Sequence, residues 1–187
     1  IFTFKRSFII ALLLIGSYVL YLSYVCMYKY ACFQYHDWDL AIYTNMMWNI
    51  VHGNPYSSLL AESLIRDHAS FIAFPLALPY AIAPNVATLL IFQTLALGIS
   101  ALPIFLLARE KLDPLSALVI TLLYFTYPAV YYANLYELNF EVFAVPFLSF
   151  AFYFLIKNRK VAFFFMIIAA CACKENIPLT VGALGIF

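Results

Sequence analysis

Seven carboxylates, Asp37, Asp39, Glu62, Asp67, Glu137, Glu141 and Glu175, fall in the gaps between apolar runs, and four of them sit where a carboxylate needs a reason. Asp39 lies at helical spacing from Met46 and Ile50, on the apolar side of the stretch 37–51. An unpaired carboxylate there is costly, so a partner or a function holds it, or the helix starts at Asp39 and it is only a cap. Glu137 and Glu141 are four residues apart with Asn134 one turn earlier, so all three share a face if a helix runs through them. Like charges at that spacing repel by a few tenths of a kcal/mol. A metal ion, a bound cationic group or raised pKa values would offset the repulsion; solvated carboxylates at a helix mouth are the plain alternative. Lys174 and Glu175 interrupt an apolar run beside Asn176 and read either as functional charges or as a self-contained pair at the membrane rim. Arg66, Asp67 and His68 lead into a short apolar segment. His68 is a metal ligand, a proton carrier or simply a polar residue among headgroups.

The elements that must position these groups are membrane helices. Hydrophobic residues make up 66% of the 187 and charged residues 10%, more apolar side chain than a soluble core of this size can hide. A crossing helix needs about 20 residues. By that ruler 8–28, 86–108, 115–132 and 138–156 are spans, 161–173 is a short one, and 177–187 begins another. The chain opens at Ile1 and stops inside that apolar run, so it reads as a piece of a longer protein comprising one transmembrane domain, 1–187. The segment 71–83 is too short and too proline-rich to cross, and counting it would break the charge alternation. It is expected at the interface, within an outer loop 29–85 that also carries an amphipathic helix 37–51 capped by Asp37 and lying flat on the membrane. The basic gaps, at Lys5 and Arg6, at Arg109 and Lys111, and at Lys157, Arg159 and Lys160, alternate with the acidic ones. Retention of Lys and Arg inside puts the N-terminus in the cytoplasm and the acidic loops outside a cell membrane. The expected fold is an all-α polytopic bundle.

Several function classes fall away. A net charge of +1 with no long basic run leaves no case for nucleic acid. There is no phosphate-cradling glycine loop, nucleophile elbow or HExxH. Cys26, Cys32, Cys171 and Cys173 match no zinc or redox spacing; they read as thiols packing as small hydrophobes or as a disulfide on the outer side. What is left is a set of acids, with Lys174, Arg66 and His68, reaching one side of the membrane from distant parts of the chain. A transporter or flippase, or a non-catalytic subunit of a membrane complex, would also carry such groups. A transporter calls for charges at mid-membrane depth, whereas these lie at the rim.

The strings WDLAIYTNMMWNIVHGNPYSS (38–58), RDHASF (66–71), ALPIFLLARE (101–110) and CKEN (173–176) resemble an uncharacterised family of multi-pass membrane proteins. The order of features, a first span, an outer loop with an early acid, interfacial helices and a span ending in basic residues, resembles the N-terminal half of the GT-C glycosyltransferases. Those enzymes use polyprenyl-phosphate-linked sugars. The resemblance implies that Asp39 matches the loop acid acting as general base or metal ligand, and that Glu137 or Glu141 matches the second outer acid. It implies that Lys174, with Arg66, faces the lipid phosphate; His68 and Glu175 are further candidate substrate-binding residues. A divalent ion, where one is used, would fall to Asp39, Glu137 and Glu141. Trp38 separates Asp37 from Asp39 where many members carry adjacent acids, which leaves open which of the two acts. The donor implied is a polyprenyl-phosphate sugar; the acceptor is not implied.

Overall fold

The computed structural model describes residues 3–35 and 38–185, apart from the side chains of Asp67 and Leu184. In chain order the helices are α1 (Phe4–Ala31), α2 (Asp39–Val51), α3 (Leu64–Asp67), α4 (Ala73–Ile82), α5 (Val86–Lys111), α6 (Pro114–Thr126), α7 (Pro128–Leu135), α8 (Ala144–Ile156), α9 (Lys160–Cys171) and α10 (Ile177–Leu184). A 3₁₀ turn, Phe140–Phe143, leads into α8. One antiparallel pair, β1 (Tyr56–Ser57) with β2 (Glu62–Ser63), joins α2 to α3.

Two helices, α1 and α5, are long and apolar enough to cross a membrane, and α6 with α7 makes a third if that bent pair is one span. At 1.5 Å per residue, each of the two reaches roughly 40 Å, beyond the ~30 Å hydrocarbon layer. In the most apolar window of α5, 56% of residues are buried, against 17% for α1, so α5 is the central helix and α1 is covered little by the other described helices. Helices α1, α6 and α8 all pack on α5. At Gly98 a Cβ would stand 2.5 Å from Cγ2 of Val19, so the missing side chain is what lets α1 approach α5. The kink in the bent pair has a sequence cause. Pro128 has no N–H to continue α6 and forces Tyr127 into an extended conformation (φ −64°, ψ 122°), and the axes differ by 46°.

The packing sorts the charges. Ala11 of α1 meets Phe105 of α5 and Ala117 of α6; Leu22 meets Leu97; Cys26 shares a cluster with Leu89 and Leu90. Hence α1 and α6 run antiparallel to α5, and α8 runs parallel to it, its C-terminal Lys157 ion-paired with Glu110. The starts of α1 and α6, the ends of α5 and α8 and the α8–α9 turn therefore share one end, with Lys5, Arg6, Arg109, Lys111, Lys157, Arg159 and Lys160. Helices α2 and α4, the α7–α8 connection and the α9–α10 connection gather at the other, around the largest buried cluster.

Two readings of helix α2 change. Helix α2 begins at Asp39, and Asp37, expected as its cap, lies outside the described residues. Its apolar face is not laid on the bilayer: Leu40, Tyr43, Met46 and Met47 are buried against α4 and α5, whereas Trp38 is 75% exposed. The polar face is committed too. Asn49 Nδ2 donates to Tyr56 O (2.6 Å), and Asn45 Oδ1 accepts from Ser58 N (2.9 Å), so the β1–β2 hairpin covers it. Meanwhile α4 buries Ala73, Leu76, Ala77 and Tyr80 on one side and exposes Phe74, Leu78 and Ile82 on the other.

Candidate functional site

Asp39 occupies the first turn of α2, and the residues that hold it come from the loop after α7. Trp38, at the cap position, makes no side-chain cap bond. Instead the carboxylate of Glu137 accepts from Leu40 N at 2.7 Å, a cap supplied from 97 residues away. The next residue back in that loop, Tyr136, brings its hydroxyl to 3.5 Å from Asp39 Oδ2. Two successive residues of the loop thus bracket Asp39 and Leu40. Glu137 is 2% exposed, and its dependence on α2 means that α2 and the loop are placed together.

The loop is pinned from beneath by residues the sequence reading passed over. Gln93 of α5, fully buried, donates from Nε2 to Glu137 O (3.1 Å) and Asn134 O (3.5 Å) and accepts from Asn139 N through Oε1 (2.9 Å). Lys29 at the end of α1 donates to Leu135 O at 2.6 Å while lying 4.5 Å from the Tyr35 ring centroid. The available signal was Gln93 itself, an amide within the apolar run 86–108, where a buried polar side chain must find partners. The cap also explains why Asn134, Glu137 and Glu141 do not share a helical face. Helix α7 stops at Leu135, and Asn139 caps a new turn by accepting from Glu141 N (3.0 Å). Glu137 then points to α2 and Glu141 to the α9–α10 connection.

There Lys174 Nζ meets Glu141 Oε1 at 3.0 Å, and Asn176 Nδ2 donates to the same oxygen at 2.9 Å. The Lys174 side chain is only 16% exposed. Glu175 turns the opposite way, its Oε1 accepting from His68 Nδ1 at 2.8 Å. Lys174 and Glu175 are thus not a self-contained pair. Burial works to raise the Glu175 pKa, but its own backbone N–H, the His68 hydrogen bond and the His68 and Lys174 charges outweigh it, holding the carboxyl below its ordinary value. Arg66 lies on α3, exposed. Among the described residues no three His, Cys, Asp or Glu side chains gather as a ligand set, and the Glu137 and Glu141 carboxylates serve different partners. The cysteines are free thiols, Cys26 and Cys173 buried, Cys171 partly buried and Cys32 exposed.

Two cavities flank the site. One, of about 580 Å³, lies beside α2 among Tyr30, Phe33, Tyr35, Asn45, Trp48 and Tyr80. The other, of about 550 Å³, is almost wholly apolar and runs between α4, α5, α8 and α9, from Ile72 and Leu76 past Phe143 and Phe147 to Phe154. Its upper end lies close to Lys174, since Ile72 N bonds Ala172 O at 2.9 Å and Phe143 is two residues from Glu141.

Residues 29–187 match the model of a family described as Predicted membrane protein (DUF2079). The chain belongs to that family. The matched stretch takes in Asp39, Glu137, Glu141, Lys174 and both cavities, and leaves out most of α1. DUF2079 membership makes this a membrane protein, in keeping with α1 and α5, and its description carries no activity. No curated protein and no solved structure matches the chain.

Proposed function

We propose that this protein is a glycosyltransferase of GT-C type, moving a sugar from a polyprenyl-phosphate carrier at the extracytoplasmic face of the cell membrane. One observation carries the reading: a carboxylate, Asp39, on the helix turn that Glu137 caps and 3.5 Å from the Tyr136 hydroxyl, shares an end of the bundle with a largely sequestered cation, Lys174, at the head of an apolar groove. These are the three things a lipid-phosphate sugar donor asks of a protein: a proton acceptor, a counter-charge for phosphate, and an apolar bed for the chain. The concentration of Lys and Arg at the opposite end supports the sidedness.

In the reaction, Asp39 takes the proton of an acceptor hydroxyl as its oxygen forms a bond to the anomeric carbon. The bond from that carbon to the phosphate oxygen breaks, and its electron pair leaves with the polyprenyl phosphate. Lys174 exchanges Glu141 for the departing phosphate, whose developing charge it neutralises; Arg66 gives further positive charge from α3, and Glu175 with His68 fixes the connection that carries Lys174. Glu137 is a positioning residue, acting through α2. General-base work typically contributes about 10²–10⁴ in rate. The test is transfer from a polyprenyl-phosphate sugar by the full-length protein in liposomes. Asp39→Asn is expected to lose at least about 10² in turnover; transfer at the parent rate removes Asp39 from the chemistry.

A further inference from the structure

The cavity beside α2 is unlike the apolar groove. Tyr30, Phe33, Tyr35, Trp48 and Tyr80 give it aromatic walls, and Asn45 adds an amide whose oxygen is used on Ser58 N. The Asn45 amide hydrogens have no partner among the described residues. His52 lies against Trp48, with ring centroids 4.3 Å apart, and its Nδ1 bonds Trp48 O at 2.7 Å, so that indole is braced from its own helix.

Phe33 is the telling residue. It follows the end of α1 with φ 53°, in a turn where Gln34 N bonds Lys29 O and Phe33 N bonds Tyr30 O. That is the position of a helix end that glycine ordinarily fills, because a side chain there is strained. Phe33 is nonetheless 89% exposed, so no core contact repays the strain. An exposed aromatic in that conformation, at a cavity rim, is free to contact a ligand.

We propose that this cavity binds the ring of a neutral saccharide, the aromatic faces covering its C–H surfaces and the Asn45 amide donating to a hydroxyl. Leu40 and Ala41, which follow Asp39, line the same cavity. Its role as the acceptor's subsite rests on the transferase reading; its binding of sugar does not.

The experiment uses the full chain in phospholipid nanodiscs, prepared without sugar-headed detergents, which would themselves compete. In a Trp38→Phe background Trp48 is the only described tryptophan. Its fluorescence is followed against methyl mannoside and methyl glucoside, with sorbitol as control. A saturable change with an affinity on the order of 1–10 mM is expected. Phe33→Gly should weaken it about tenfold or more without lowering the melting temperature, and Asn45→Asp, which keeps the acceptor for Ser58, should weaken it as well. Absence of a saturable change, the same change with sorbitol, or parent-like binding by both variants overturns the proposal. Binding without transfer would sink the transferase reading and leave the saccharide site standing. Transfer without binding at this cavity would do the reverse.

Discussion

Lys174 and Glu175 adjoin in sequence but send their charges to different elements, and the consequences differ in size. Glu141→Gln leaves a lysine that is 16% exposed without its counter-charge and should cost about 1–3 kcal/mol, read by denaturant titration in mixed micelles. Glu175→Gln acts on a side chain 49% exposed and should cost less than ~1 kcal/mol. Because the folded-state pKa of Glu175 lies below the ordinary 4.5, its contribution is complete above that value and is lost as pH falls through the lowered one. Melting curves of parent and Glu175→Gln should differ at neutral pH and converge once the pH falls below that lowered pKa; a gap that persists there would contradict the pairing. Gln93→Leu should be more damaging than its exchange of amide for alkyl implies, since Asn139 N–H is orphaned at about 1–3 kcal/mol. That a charge sat at Lys174 was legible in the sequence. Its partner was not, because Glu141 is brought to it by the packing of α8 on α9 and nothing local encodes that contact.

At the level of elements, apolar runs and their punctuation carried most of the information. Runs of about 20 apolar residues announce α1 and α5, and the charge alternation keeps 71–83 off the list of crossings, where α4 is a ten-residue helix. The pattern fails where a tertiary contact replaces a local signal. The i, i+4 spacing of Glu137 and Glu141 imitates a helical face, but Asn139 restarts the chain between them. The amphipathic stretch of α2 looks like a membrane-surface helix, yet its apolar side is spent on α4, since a wheel shows a helix's hydrophobic face and not what covers it. The α1–α5 contact at Gly98 was equally silent in the sequence. Gly98→Val drives a branched side chain against Val19, itself stiff at χ1, and should cost about 1–3 kcal/mol or split α1 from α5. Unfolding in mixed micelles measures this, and a variant as stable as the parent would mean that α1 can move aside freely.

For the whole molecule, everything proposed for the site depends on which end of the bundle faces out. The antiparallel packing of α1 on α5 puts Lys5, Arg6, Arg109 and Lys111 together and leaves Cys32, one residue past α1, at the end that carries Asp39 and Lys174. Cys32 is the exposed thiol of the four, so it reports on that end without an engineered probe. With Cys26, Cys171 and Cys173 changed to Ser, a membrane-impermeant maleimide should label Cys32 in intact cells. In the converse variant, Cys32→Ser with a new cysteine at Asn158 in the α8–α9 turn, labelling should appear only after permeabilisation. The reverse pattern would turn the acidic end towards the cytoplasm. Sugar carriers presented on the outer leaflet would then be out of reach of Asp39, and a donor on the inner leaflet would have to take their place. If both thiols label in intact cells, the two ends of the bundle do not lie on opposite sides of the membrane as the charge separation requires.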